Sequence, residues 1–162
     1  MVRRDLVARG IADRRVLDAM GEVAREQFVP AELVDRAYED HAPPIEEGQT
    51  ISQPYIVALT AEALLLDGSE RVLDVGSGSG YAAAVLGRLA TEVWAIERHE
   101  LLADRSRTTL AAAGVDNVHV IHGDGMQGHP PPAPIDSLAV APAAPEGPDA
   151  HQDQQTEGGR RV

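Results

Sequence analysis

Residues 71–80 read Arg-Val-Leu-Asp-Val-Gly-Ser-Gly-Ser-Gly, and Ile96-Glu97 closes a second apolar run, Val93-Trp94-Ala95-Ile96, further on. The first four apolar-rich positions, 72–75, predict a buried strand. The glycines predict a sharp turn, and residues 81–89 (Tyr-Ala-Ala-Ala-Val-Leu-Gly-Arg-Leu) predict a helix that returns to the strand at 93–96. The alternation continues with a helix over 101–113 stopped by Gly114, a strand over 118–121 and a strand over 135–140. Strands alternating with helices mean βαβ units and a parallel sheet. The predicted class is therefore α/β, a Rossmann-like parallel sheet.

The turn also carries chemistry. Gly76, Gly78 and Gly80 lie directly after a strand and before a helix, where glycine permits sharp geometry and close approach of a ligand to the backbone. The dinucleotide fingerprint G-x-G-x-x-G is not met, because the third glycine comes one residue early. Glu97 stands 21 positions after Gly76, at the tip of the second strand, where a carboxylate accepts from the two hydroxyls of an adenosine ribose. Asp124, in Gly123-Asp124-Gly125 after the third strand, is placed to accept from an adenine amino group. All three features fall at the carboxyl ends of neighbouring parallel strands, where open α/β sheets bind ligands. A glycine turn by itself reads equally as a tight connection with Glu97 as a surface acid. The three in register favour a nucleoside cofactor, S-adenosylmethionine rather than a dinucleotide.

Upstream, residues 5–38 carry helical spacing. Asp13 is a capping residue for a helix whose apolar face is Val16, Leu17, Met20 and Val23, and Pro30 opens a short helical stretch over 31–38. Residues 40–53 hold Pro43-Pro44 and Gly48 without a sustained period and read as loop or short extended pieces. Pro54 then opens a helix over 54–66.

Composition sets the outer bounds. The chain has 162 residues, a formal charge of −12, 43% hydrophobic residues and only 3% aromatics. It fits one domain, with a core of Ala, Val, Leu and Ile. The negative charge disfavours nucleic acid and anionic membrane surfaces as partners. Without cysteine there are no disulfides and no thiolate metal sites. No apolar run approaches a membrane span, and the amino terminus lacks a secretory pattern, so a cytoplasmic protein is the expectation. His41, His99, His119, His122, His129 and His151 show no metal-ligand spacing; no metal site is expected.

Residues 48–58, Gly-Gln-Thr-Ile-Ser-Gln-Pro-Tyr-Ile-Val-Ala, resemble the signature of the protein-L-isoaspartate O-methyltransferases. So do Arg25-Glu26-Gln27-Phe28-Val29-Pro30, Ala37-Tyr38-Glu39-Asp40 and residues 72–81, and the similarity runs from about Leu6 to Gly128. The resemblance implies a Rossmann-like methyltransferase with an N-terminal helical addition. It implies methyl transfer from S-adenosylmethionine to the free α-carboxylate of an L-isoaspartyl residue in a damaged protein or peptide, after which the ester collapses to a succinimide. By the same resemblance Ser52 lies beside the acceptor carboxylate, Thr50 and Ile51 belong to a strip covering the cofactor, and Gly76, Gly78, Glu97, Asp124 and Gly125 contact it. The chemistry suits this placement, since a carboxylate is already anionic at neutral pH and needs orientation and desolvation more than a base. Ser52, just ahead of the Pro54 helix, reads alternatively as a helix cap; the surrounding motif favours the acceptor role.

The carboxyl-terminal part departs from the family pattern. Seven of the eleven prolines stand at 130, 131, 132, 134, 142, 145 and 148. Ala141 and Pro142 occupy positions where the family has Thr and Ala. His151, Gln152 and Gln155 replace leucines of a helix, and Arg161 replaces an apolar strand residue. The expected organisation is an N-terminal helical addition with the acceptor loop over 1–66, a methyltransferase core over 67–145, and a disordered tail over 146–162 with the sheet incomplete at that end. Two alternatives to protein repair stay open. One is a non-catalytic or partner-requiring fragment that at most binds S-adenosylmethionine; the other is an aspartate methyltransferase of peptide maturation. A nicotinamide oxidoreductase is disfavoured by the glycine spacing.

Overall fold

The computed structural model describes residues 1–125, 134–140 and 155–162. Five parallel strands form one sheet in the order β3-β2-β1-β4-β5, where β1 is Arg71–Val75, β2 Glu92–Glu97, β3 Val118–His122, β4 Ile135–Val140 and β5 Gln155–Arg161. The helices are α1 (Arg14–Glu22), α2 (Pro54–Ala63), α3 (Tyr81–Gly87) and α4 (Glu100–Ala112).

The period-two alternation of strand side chains sorts them onto two faces. Val72, Val93, Ala95 and Ala139 join a cluster with Val16 and Met20 of α1, Val57 of α2, Val85 of α3 and Leu102 and Leu110 of α4. Leu73, Val75, Ile96 and Leu138 form a second cluster, joined by Ile135 from the start of β4, where the strand register shifts. The first cluster also takes in Leu6 and Phe28, so the N-terminal segment shares its core with the sheet.

That segment is less regular than its spacing predicts. It breaks into short turns at Val2–Leu6, Val7–Arg9, Arg25–Phe28 and Ala31–Arg36 around α1. Asp13 caps α1 as expected, accepting from the Arg15 and Val16 amides at 2.8 and 3.3 Å. Glu62 of α2 reaches back to accept from the Ala12 and Asp13 amides, both at 2.7 Å. A carboxylate at a helix start satisfies otherwise orphaned donors and the positive end of the helix dipole. The predicted helix over 54–66 stops at Ala63, and Leu65 adopts a φ of 49°. Its final carbonyls are taken by arginines instead: Leu66 accepts from Arg15 at 2.6 Å and Leu64 from Arg160 at 3.1 Å.

The largest correction concerns the carboxyl terminus. Residues 155–161, expected within a disordered tail, form β5 beside β4, and the Val162 amide donates to the Leu138 carbonyl at 3.0 Å. Parallel pairing is made by main-chain groups, so a strand with few apolar residues still satisfies the exposed edge of β4. Residues 146–154, which include His151 and Gln152, lie outside the described residues, as do Ala141, Pro142 and His129. Among the described residues no helix is long and apolar enough to cross a membrane.

Gly80 ties the turn after β1 to α4. Its φ is 85°, and a Cβ there would lie 2.2 Å from the Ser106 hydroxyl oxygen. Gly80→Ala is expected to lower unfolding free energy by about 2–4 kcal/mol, combining left-handed strain with overpacking. Ser106→Ala in the same chain should recover the overpacking part and leave the strain. Denaturant midpoints of the two single variants and the double variant measure this, and no recovery would refute the packing account.

Candidate active site

A cleft open to solvent, with roughly 600 Å³ of empty space in and above it, lies at the carboxyl ends of β1 and β4. One wall is the turn Gly76-Ser77-Gly78-Ser79 with Tyr81. The opposite wall is Thr50-Ile51-Ser52 and the α2 residues Ile56, Val57 and Thr60; Asp74, Ala139 and Val140 also line it. Thus Thr50, Ile51, Ser52, Gly76 and Gly78, all expected from sequence, meet around one space.

The glycine turn is built by main-chain bonding. The Gly76 and Ser77 amides both donate to the Ile96 carbonyl, at 2.8 and 3.2 Å. Gly76, Gly78 and Gly80 have φ of 83°, 54° and 85°, a conformation that side chains with a Cβ rarely adopt. Glu97 is only 4% exposed and does not itself line the cleft. Its carboxylate accepts from the Gly78 amide at 2.8 Å through Oε2 and from the His99 amide at 2.9 Å through Oε1. Each carboxylate oxygen retains capacity for a further donor. Asp124 is exposed and sits outside the cleft wall, while Gly125 is buried against Val75, whose Cγ1 would lie 2.6 Å from an added Cβ.

The opposite wall is held from outside itself. Residues 43–51 fold back on themselves: Pro44 bridges Thr50, and the Ile51 amide donates to the Pro43 carbonyl at 3.0 Å. Glu47 takes a φ of 56° at the tip, where Glu46 pairs with Arg105 of α4. Ser52 does not cap α2. The cap residue is Gln53, and the first helical amide to be satisfied, that of Tyr55, donates to Asp40 Oδ1 at 3.0 Å. Asp40 also accepts from Gln53 Nε2 at 2.8 Å and from Arg9 at 2.6 Å. The Ser52 carbonyl accepts from Arg25 Nη2 at 2.9 Å. Among the described residues the Ser52 hydroxyl makes no hydrogen bond, which leaves it for a ligand.

Asp74 is a cleft residue that the sequence did not single out. It lines the cleft yet is 5% exposed, and among the described residues its Oδ2 has no hydrogen-bond partner. Burial, and then the charge of Glu97, push its carboxyl up to about 7. An acid within the otherwise apolar run Val-Leu-Asp-Val was the available signal, since a buried carboxylate without a partner calls for a ligand. Among the described residues no group of three or more His, Cys, Asp or Glu is placed to hold a metal.

The chain and its fold are similar to known proteins. A family model described as protein-L-isoaspartate(D-aspartate) O-methyltransferase matches residues 1–162. The chain is 59% identical to protein-L-isoaspartate O-methyltransferase 2 of Marinobacter nauticus, covering all of this chain and 74% of that one. It is 52% identical to protein-L-isoaspartate O-methyltransferase 1 of Rhodopseudomonas palustris, of which it spans 66%. Among solved structures, a protein-L-isoaspartate O-methyltransferase superposes with a TM-score of 0.88 at 31% identity, over 100% of this chain and 54% of the other. A Plasmodium falciparum protein described as a PCMT, in complex with S-adenosyl-L-homocysteine, matches with a TM-score of 0.84 at 27% identity, over 99% of this chain and 81% of the other. With the family model matched along its whole length and relatives more than half identical, the chain belongs to the protein-L-isoaspartate(D-aspartate) O-methyltransferase family.

Proposed function

We propose that this protein methylates the free carboxylate of L-isoaspartyl residues in damaged proteins, with S-adenosylmethionine as donor. The observation that carries the reading is the meeting, in one cleft, of the Thr50-Ile51-Ser52 strip with the glycine turn and the unpartnered carboxyl of Asp74.

The cleft suits the donor. When bound, S-adenosylmethionine supplies an electrophilic methyl group on a sulfonium. Glu97 and the turn at Gly76 and Gly78 would hold its ribose, with Asp124 and Gly125 toward the base. Asp74 would accept from its ammonium group, which supplies the counter-charge that this buried acid lacks.

The acceptor needs no general base, because an isoaspartyl carboxylate is ionised at neutral pH. The protein's work is to orient that oxygen in line with the methyl group and to exclude water. Ser52 would donate its hydroxyl proton to the carboxylate and fix which oxygen attacks. Thr50 and Ile51 would close the cleft over the donor, and Ile56 and Val57 would supply the dry wall beside it.

Three outcomes are expected. Glu97→Ala should weaken S-adenosylhomocysteine binding by about 1.5–3 kcal/mol, the worth of charge-assisted hydrogen bonds. Calorimetry on the folded variant checks this, and unchanged affinity would remove Glu97 from the site. Ser52→Ala should leave that affinity nearly intact while kcat/KM for an isoaspartyl peptide drops about tenfold or more; equal loss of both would make Ser52 a scaffold residue.

The third outcome concerns pH. Because the folded pKa of Asp74 is raised, the ligand-free fold holds this proton that the unfolded chain releases. The stability it contributes is present in acid and lost as pH rises through about 7. At pH 8 Asp74→Asn should therefore be more stable than the native protein by a few kcal/mol without ligand, and the difference should shrink toward pH 5. In the same variant cofactor affinity should fall. Parallel titrations across that pH range would contradict the role if the two proteins tracked each other.

A further inference from the structure

Arg25 is a fully buried guanidinium, 0% exposed, with no carboxylate within ion-pairing distance among the described residues. Nε donates to the Ala37 carbonyl at 2.8 Å and Nη2 to the Ser52 carbonyl at 2.9 Å, while Nη1 has no hydrogen-bond partner among the described residues. Its Cζ lies 4.4 Å from the centre of the Tyr81 ring. Ser52 and Tyr81 both line the cleft, so the cation stands one residue layer behind the wall where the acceptor is proposed to sit.

Asp40 attracts Arg25 from beyond ion-pairing distance, and the neighbouring acids make their hydrogen bonds elsewhere. Asp40 gives Oδ1 to the Tyr55 amide and Oδ2 to Gln53 and Arg9, and Glu26 accepts from the Tyr38 hydroxyl. A tyrosine face attracts a cation without cancelling its charge. Burying a charged group unpaired is expensive, and two carbonyls could be satisfied by a neutral donor. The retained positive charge therefore has a use beyond hydrogen bonding.

We infer that Arg25 is a positioning residue for the acceptor end of the cleft: it fixes the Ser52 main chain and keeps a positive charge without a direct ion pair behind it, so that an anionic acceptor is preferred over its neutral amide counterpart. The inference rests on the carboxyl methyl transfer proposed above and names the source of its selectivity. The attraction acts through protein rather than water, where a charge is felt more strongly and is less screened by salt. Lysine would keep the charge and lose the planar fork that reaches two carbonyls at once.

The test compares an isoaspartyl peptide with its isoasparaginyl counterpart, in which a neutral amide replaces the carboxylate. Binding of each is measured by calorimetry on protein saturated with S-adenosylhomocysteine, for the native chain, Arg25→Gln and Arg25→Lys. The native chain should prefer the carboxylate peptide by about tenfold or more, Arg25→Gln should lose most of that preference, and Arg25→Lys should retain most of it. S-adenosylhomocysteine affinity should change by less than about twofold in both variants, since the Arg25 hydrogen bonds go to Ala37 and Ser52 and not to the turn at residues 76–79. A purely structural role would weaken both peptides alike and leave their ratio intact, which overturns the inference. Loss of S-adenosylhomocysteine binding in both variants also overturns it, by making Arg25 a scaffold residue. Native protein that fails to methylate the isoaspartyl peptide refutes the proposed function instead, so the two failures are told apart.

Discussion

The cleft exists because β1 lies between β2 and β4, and the chain leaves β1 toward β2 before β4 is laid down on the opposite side. At such a reversal of strand order the carboxyl ends of two neighbouring strands are left uncovered by a common connection, and a crevice results. Asp74 near the end of β1 and Ala139 and Val140 at the end of β4 meet there. The glycine turn can stay open only because its amides are satisfied from β2, two at the Ile96 carbonyl and one at Glu97. Glu97 thus serves the turn before it serves any ligand: without its carboxylate the Gly78 and His99 amides would be left to find new partners.

The second wall is assembled by a different strategy. Residues 49–55 have little regular structure of their own, yet two distant residues hold them through three hydrogen bonds. Arg25 takes the Ser52 carbonyl, and Asp40 takes the Tyr55 amide and the Gln53 side chain. Each comes from the N-terminal segment, whose apolar residues Leu6, Phe28 and Val29 are in turn anchored in the sheet core. The N-terminal segment is therefore the frame of the strip at residues 50–52. It places a serine hydroxyl across the cleft from a glycine turn with no helix or strand to carry it.

Two ionisable groups are buried at the cleft with their needs unmet among the described residues. Asp74 Oδ2 has no donor and Arg25 no direct ion pair there. Isolated buried charges destabilise a fold, and they are tolerated where a ligand completes them. A substrate pair with an ammonium on one side and a carboxylate on the other matches that polarity.

Much of this was legible in the chain itself. The run Val-Leu-Asp-Val followed by alternating Gly and Ser determined β1 and its turn, because apolar strand residues and glycine's freedom at positive φ act locally. Asp13 declared the start of α1 for the same reason, and the motif over 48–58 marked Thr50, Ile51 and Ser52. The role of Asp74 was hidden, because a carboxyl inside a strand reads as buried or exposed only once its neighbours are known. Arg25 stood in a stretch of helical spacing and in a family-like segment without a role of its own, and that it reaches Ala37 and Ser52 is set by packing between segments 12 and 27 positions apart. The strand at residues 155–161 was illegible from side chains altogether. Its partner is the open main-chain edge of β4, and a hydrogen-bonding edge leaves no mark on the residues that come to fill it. Local stereochemistry and hydrophobic period were written in the sequence; where buried charges found their partners, and which edge of the sheet was paired, was decided by the tertiary structure.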